Sequence, residues 1–389
     1  MCIRDRNQTQ NEAVEAGFQA LQKQHWQEAF NLFKTADANG PADDRVSMGL
    51  AIAAKSLGDH ATSLAAIDNF LLDNKTHIQA LILRGDALKA LGEQHRSVAS
   101  YMAALQAVPP NAQLDQQIIS ELQRAQTECA NVSGLYESYL RNHITDKLGS
   151  AVCASGTLAA QTLDLVFGKA QIYHQKPHRF HFPELPQRQF YDRSEFDWAE
   201  EVEAASEDIK YEFAVIAAKE ERFGAYVSVD GREPHLVEHD LVDNLDWSAI
   251  HLIRNNERLQ ENIEMCPGTM KALGHAPVPD VTANSPSVFF SRMLPGTHIP
   301  PHHGMMNTRL ICHLPLVLPE NCSIRVGNQT REWTDGKLLI FDDTIEHEAR
   351  NGSDQPRSVL IFDIWRPELT EDDRALVTAM FDGIAAFGA

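Results

Sequence analysis

Thr308-Arg309-Leu310-Ile311-Cys312-His313-Leu314-Pro315-Leu316-Val317-Leu318 is the stretch that decides the fold of the larger part of this 389-residue chain. Arg309, Ile311 and His313 share one face of it, and Leu310, Cys312 and Leu314 share the other. A period of two marks a β-strand with one face on a core. Outward from it, Ser287–Leu294, Ser323–Val326, Arg331–Trp333, Lys337–Phe341, Glu346–Asn351 and Arg357–Trp365 also read as strands. Turn signals separate them: Pro295-Gly296, Pro319-Glu320-Asn321, Gly327-Asn328, Asp335-Gly336 and Asn351-Gly352. Short strands so closely spaced predict an antiparallel jelly-roll or cupin-like barrel or sandwich, whose interior can hold a small ligand or a metal.

Upstream, helices are expected over Trp198–Ala218 and within Ile250–Leu273. The first third repeats with a period of 34: Gly17, Ala51 and Gly85; Gln24, Gly58 and Gly92; Ala29, Ser63 and Ser97; Phe33, Ile67 and Tyr101. Ala36, Phe70 and Ala104, then Pro41, Lys75 and Pro109, hold the same phase. Each unit reads as two amphipathic helices that cannot bury their apolar face alone, so the units stack into an α-helical solenoid. The pattern resembles tetratricopeptide repeats, departing from them at Gln24 and Lys75. Asn111–Ala130 is expected to cap the array. A further helical stretch is expected over 131–180, leading into the Pro- and His-rich junction Pro177–Pro183. The concave face of such an array fits a protein or peptide partner.

With 34 Lys+Arg against 54 Asp+Glu the net charge is −20, and most of it falls on residues 151–389. That balance excludes a generic nucleic-acid or anionic-membrane binder, since phosphates are neutralised by clustered cations. Six cysteines without a CxxC pair predict reduced thiols and a cytoplasmic protein. No run of about 18 apolar residues predicts a membrane span. The start has no apolar signal-peptide core, and Met1–Arg6 fits none of the later periodicity.

His302 and His347 each fall beside a strand end. Two imidazoles on facing barrel strands are a frequent first-row metal arrangement. The iron pattern of two His and one carboxylate would put an acid two residues after the first His, where this chain has Gly304. Spacing alone therefore leaves surface or core histidines open. Ser291, Arg357 and Asp363 interrupt apolar strands and need partners or a ligand if buried. His303 is expected to be solvated or hydrogen-bonded, and His174, His178 and His181 to lie on the surface. His235 and His239 are four apart, but Pro234 breaks the helix that would align them. Asp342 and Asp343 are expected in a turn, as partners orienting His347, and Trp333 and Trp365 in the core.

The run Leu294-Pro295-Gly296-Thr297-His298-Ile299-Pro300-Pro301-His302-His303-Gly304-Met305-Met306-Asn307-Thr308-Arg309-Leu310 resembles the aspartyl/asparaginyl β-hydroxylase family. So do Arg325-Val326-Gly327, Phe341-Asp342-Asp343-Thr344-Ile345-Glu346-His347-Glu348, Asp363-Ile364-Trp365-Arg366-Pro367-Glu368-Leu369 and, upstream, Glu261-Asn262 with Cys266-Pro267-Gly268-Thr269-Met270. The resemblance implies a double-stranded β-helix and an Fe(II)- and 2-oxoglutarate-dependent dioxygenase using O₂. With the repeat and helical patterns above giving a helical repeat domain over 10–131 and a helical linker over 132–189, it places the oxygenase domain over 190–375. His302 and His347 become catalytic metal ligands with no protein carboxylate, in agreement with Gly304. Ser291 and Arg357 become holders of the distal carboxylate of 2-oxoglutarate, for which a planar guanidinium is suited. His313 would contact the chelating end of the cosubstrate, and Glu261 the substrate. At Ile311 the animal members have an Arg; Arg309 is expected to compensate and to face the cosubstrate. The substrate expected is an Asp or Asn β-carbon in a peptide or protein, or a small molecule. Two rivals are a non-catalytic repeat scaffold with a degenerate barrel, and a zinc hydrolase. The hydrolase gives Arg357 no role.

Overall fold

The structure, a computed structural model, describes residues 3–39, 43–228, 241–281 and 285–387. The chain divides into two compact units, Met1–Phe167 and Gly168–Ala389. Among the described residues no helix is long and apolar enough to cross a membrane.

The first unit holds three helical hairpins: α1 (Ile3–Gln22) with α2 (Trp26–Asn39), α3 (Asp44–Ser56) with α4 (His60–Phe70), and α5 (Ile78–Ala90) with α6 (Gln94–Gln106). The repeat positions have physical jobs. A Cβ on Gly17 would come within 2.8 Å of the Phe33 ring, and one on Gly85 within 2.9 Å of Cζ of Tyr101, so the small residue seats the aromatic of the partner helix. Gln24, Gly58 and Gly92 all turn the chain at positive φ, +57°, +80° and +80°. Gln24 thus adopts the same conformation as the glycines it replaces, at some conformational cost. Ser63 and Ser97, 34 apart, donate to the backbone oxygens of Ala51 and Gly85 at 2.9 and 2.8 Å. The expected capping helix starts at Gln116 and runs to Leu148 as the 33-residue α7, followed by α8 (Leu158–Val166). The helical stretch expected to residue 180 stops there, because Gly168 takes a φ of +67° and closes the helix.

The second unit is built of antiparallel strands: β1 (Phe190–Tyr191), β2 (Gly224–Ala225), β3 (Trp247–Arg254), β4 (Glu257–Arg258), β5 (Val288–Met293) and β6 (His298–His302). Then follow β7 (Arg309–Val317), β8 (Cys322–Val326), β9 (Gln329–Glu332), β10 (Leu339–Phe341), β11 (His347–Asn351) and β12 (Arg357–Trp365). One sheet runs β1-β10-β7-β12-β5-β3-β2 with β4 on β3; the other runs β6-β11-β8-β9. Alternation along the strands separates two environments. Leu310, Cys312 and Leu314 of β7, with Leu360, Phe362 and Ile364 of β12, pack on one side with Val202 of α9 (Ala199–Ala204) and Ile209 and Phe213 of α10 (Ser206–Ala217). Ile263 of α11 (Gln260–Met265) and Leu273 of α12 (Pro267–Leu273) complete that layer. The opposite face looks across at the four-stranded sheet. At the end of the chain, α13 (Glu371–Phe387) buries Val377 and Phe381 against Val281 and Met306.

Three expectations are corrected. The helix expected within Ile250–Leu273 is present as α11 and α12, but the residues ahead of them, Trp247–Arg254, form a strand that was not expected, β3, buried on both faces. A short apolar run of that kind has no periodicity to tell strand from helix. The helix expected over Trp198–Ala218 is two, divided at Ala205. Finally, the Pro300-Pro301 segment, absent from the expected strands, lies in β6. It is an edge strand, where missing N–H groups cost the ladder little.

Candidate active site

The edge strand β6 ends on His302, β11 opens on His347, and the two are direct cross-strand partners. The register slips between His347 and Ala349, a bulge of the kind that re-aims side chains beside functional sites. Their ring centroids lie 4.0 Å apart. The Nδ1 of His302 meets the Pro300 oxygen at 2.8 Å, and that of His347 meets the Ile345 oxygen at 3.1 Å. A carbonyl can only accept, so each Nδ1 carries the proton and each lone pair sits on Nε2. Burial, and then the neighbouring His302, hold His347 well below the usual imidazole range, so it is neutral as a ligand must be. Among the described residues no cluster of three or more His, Cys, Asp or Glu able to hold a metal occurs; the donor set is two imidazoles.

Both histidines line a cavity of about 300 Å³ between the two sheets. Arg357 and Ser291 line it as well. Arg357 is 1% exposed, its guanidinium lies 3.9 Å over the Trp333 ring, and its Nε and Nη2 have no hydrogen-bond partner in the protein. Burial pushes it down to about 9. A buried cation without an acid is unfavourable by several kcal/mol even after the protein relaxes around it, and an anion entering the cavity would offset that cost. Ser291 is equally buried; Trp247 Nε1 donates to its Oγ at 3.2 Å, which leaves its hydroxyl hydrogen to be given elsewhere. Trp333 Nε1 donates to His313 Nδ1 at 3.3 Å and stacks on that ring, so His313 carries its proton on Nε2. Burial, and then Arg357, keep His313 neutral.

The remaining expected residues fall elsewhere. Arg309 lines the cavity, but its Nη1 donates to Asp363 at 2.8 Å and its Nη2 lies 4.0 Å from Asp343. Its charge is therefore already answered within the protein. Glu261 does not line the cavity: its side chain is 90% exposed on α11 and lies 4.0 Å from Arg222, as a helix-surface Glu. Neither Asp342 nor Asp343 orients His347, whose Nδ1 is held by backbone. Asp342 is buried with Arg366 (2.7 Å) and Gln175 (2.6 Å) and accepts from the Thr344 backbone. Asp343 lines the cavity and fills the space beside Gly304. Burial raises its carboxyl to about 7. His303 is half-buried at the mouth, against an exposed His178 that the junction segment carries there through backbone bonds to Gly304 and Met305. His174 and His181 are exposed, while His235 and His239 lie outside the described residues. Trp365 is half-buried, not in the core, and Trp333 is buried and touches both Arg357 and His313.

Trp247 was missed because no strand was expected at Trp247–Arg254. The signal available was Asn255-Asn256, which forms the tight turn into β4 with both residues at positive φ, +50° and +68°. Tyr226, stacked on Trp247 at 4.2 Å, was missed with it.

The family model for aspartyl/asparaginyl beta-hydroxylase matches residues 203–367, which include Ser291, His302, His313, His347 and Arg357. Over residues 203–367 the chain is thus similar to the aspartyl/asparaginyl β-hydroxylase family. The human aspartyl/asparaginyl beta-hydroxylase is 38% identical over 145 residues, 37% of this chain and 19% of that protein. The ornithine lipid ester-linked acyl 2-hydroxylase of Rhizobium tropici is 33% identical over 182 residues, 46% of this chain and 60% of that one. Human aspartate beta-hydroxylase domain-containing protein 2 is 29% identical over 215 residues, 53% and 55% of the two chains. The chain thus spans from about a fifth to three fifths of the length of these relatives. The matched region carries the paired histidines, the unpaired Arg357 and the cavity they line.

Proposed function

We propose that the second unit is an Fe(II)- and 2-oxoglutarate-dependent dioxygenase that hydroxylates a C–H bond, and that its two sheets are the halves of a double-stranded β-helix. The observation that carries this reading is Arg357, a fully buried guanidinium without an acid, in the same cavity as two neutral imidazoles. His302 and His347 would hold the metal, their tautomers already set by Pro300 and Ile345. Arg357 and the Ser291 hydroxyl would hold the distal carboxylate, and His313, a neutral Nε2–H donor, its other end. When bound, the iron supplies the activation of O₂ coupled to decarboxylation of the keto acid to succinate.

The protein's own part is orientation and exclusion of water. Trp333 holds the His313 tautomer and backs Arg357, so both donors are set before a ligand arrives. The relatives' names point to two substrate chemistries, Asp or Asn residues and a lipid acyl chain. The test is anaerobic addition of Fe(II) and 2-oxoglutarate, which is expected to give the weak visible charge-transfer band of the chelate, followed by succinate release under O₂. His347→Ala should lose both and Arg357→Ala should lose 2-oxoglutarate binding. No band and no succinate from the wild type would sink the reading.

A further inference from the structure

Two short segments carry the paired histidines. One runs from His302 to Asn307, and the other is the turn over residues 342–346 that leads into His347. They meet through the Gly304 N–H, which donates to the Asp343 oxygen at 2.7 Å. Arg366 spans them as well, its Nη1 lying 2.7 Å from Asp342 Oδ2 and 3.4 Å from the Asn307 oxygen.

A further link comes from residues 175–182, which lie ahead of the family-matched region. Gln175 is 7% exposed; its Nε2 donates to Asp342 Oδ2 at 2.6 Å, and its Oε1 accepts from Asn307 Nδ2 at 2.9 Å. A carboxamide has a donor end and an acceptor end, so one side chain can satisfy a carboxylate and a second amide together. Both partners are wholly buried, so water cannot replace it there. Backbone bonds repeat the pattern. Lys176 N–H donates to the Thr344 oxygen at 2.8 Å, while the N–H groups of His178 and Arg179 donate to the Gly304 and Met305 oxygens, both at 3.0 Å. Farther on, Asn307 Oδ1 accepts from Phe182 N–H at 2.7 Å, and Phe180 packs on Phe381 of α13 at 5.3 Å. The segment alternates between the two histidine-bearing stretches, and at Gln175 a single side chain meets both. A donor set of two imidazoles has no third protein ligand to fix it. Its geometry therefore depends on whatever ties the two stretches together.

We propose that Gln175 is a positioning residue for the His302/His347 pair, joining from outside the matched region the two segments that carry the imidazoles and setting their spacing. The effect on metal affinity rests on the metal reading of the pair; the effect on the imidazoles does not.

The test uses the full chain and two readouts. Co(II) is titrated anaerobically and followed by its visible absorption, and the ring nitrogens of His302 and His347 are followed without metal in protein labelled with ¹⁵N-histidine. Gln175→Met should bind Co(II) about tenfold more weakly. It should also replace the single Nδ1–H tautomers, held by Pro300 and Ile345, with mixed ones. Gln175→Asn keeps the amide but shortens its reach; it should move both readouts the same way by less, and it decides the question where Gln175→Met does not fold. Gln175→Glu and Asp342→Asn should each weaken Co(II), whereas the double variant, which exchanges carboxamide and carboxylate across one bond, should recover most of the loss. Glu212→Gln controls for destabilisation alone. It loosens the bonds to the Gly268 and Thr269 N–H groups, at 2.6 and 2.8 Å, and should lower the melting temperature while leaving both readouts unmoved. Wild-type readouts in Gln175→Met, a double variant no better than its parents, or an equal effect from Glu212→Gln would each overturn the proposal. A wild type that takes up no Co(II) removes the metal reading, and the imidazole signals still decide whether Gln175 sets the pair.

Discussion

Gly304 stands where a third, carboxylate ligand would stand, and the structure shows why nothing larger than hydrogen fits there. A Cβ on Gly304 would lie 2.5 Å from Oδ1 of Asp343 and closer still to its Cγ and Oδ2. The neighbour is not a loose surface side chain. Asp343 is buried, its backbone oxygen accepts from Gly304 N–H at 2.7 Å, and Arg309 Nη2 lies 4.0 Å from its carboxylate. Gly304→Ala must therefore push Asp343 off its place, an overpacking cost of about 2 kcal/mol. For a unit of this size that is a fall in melting temperature of roughly 4–8 °C. The assay is urea or thermal unfolding followed by tryptophan fluorescence, since Trp198, Trp247, Trp333 and Trp365 all lie in the second unit. The control is Asp343→Ala, alone and combined. With the carboxylate gone, Gly304→Ala should cost at least about 1 kcal/mol less than in the wild type, a coupling well outside ordinary additivity. An unaltered melting temperature for Gly304→Ala, or a double mutant that is additive within about 0.5 kcal/mol, would refute the steric account. The same reasoning expects Gly304→Asp to fold only in the Asp343→Ala background.

Three further outcomes are expected. Arg357→Met should leave the ligand-free protein as stable as the wild type or more so by about 1 kcal/mol, because it removes an unpaired buried charge; calorimetry should show 2-oxoglutarate binding lost, and a loss of stability above about 2 kcal/mol would count against the unpaired-cation account. His251, with burial pushing it down to about 4, is protonated more readily in the unfolded chain. Its contribution is fully present above the unfolded value near 6.5 and is lost as pH falls from there toward 4. The stability of wild type relative to His251→Gln should thus decline by about 2 kcal/mol between pH 7 and pH 5 in urea titrations, and a constant gap would contradict the sign. Gly85→Ala should lower the unfolding midpoint of the first unit, by about 1–3 kcal/mol, because its methyl meets the Tyr101 ring whose hydroxyl is bound to Asp86 at 2.6 Å; 2-oxoglutarate affinity measured on the same preparation should not change.

What was legible in the sequence was whatever depends on local period. The 34-residue phase located three hairpins, and the alternation of Arg309, Ile311 and His313 located a cavity-facing row that the structure keeps together. What was not legible depends on burial and on distant partners. Strand β3 is apolar on both faces and so lacks the alternation that marks a half-buried strand. Strand β6 contains two prolines, which argue against a strand until its edge position is known. Arg309 looked available because the acid that answers it, Asp363, is 54 residues away and reaches it only through the pairing of β12 with β7. Glu261 was assigned to the substrate by resemblance alone, and its side chain lies 90% exposed on α11.

The two arginines show how one cavity can treat anions in opposite ways. At net charge −20 the protein repels a dicarboxylate at long range, but beyond about 8–10 Å that repulsion is screened by salt. Capture is therefore decided at close quarters, where burial strengthens every pair. Arg309 has its charge answered by Asp363 at 2.8 Å, with Asp343 4.0 Å away, so it draws an anion far less strongly. Arg357 keeps its charge unpaired, at a cost in stability to the free protein, and Trp333 and Ser291 hold the position around it. A ligand that binds only the folded state returns that stability in proportion to the logarithm of its concentration over its Kd. An acidic domain can thus favour a dicarboxylate at the end of a cavity where an arginine is left unpaired, because pairing, and not the count of arginines, sets the local field.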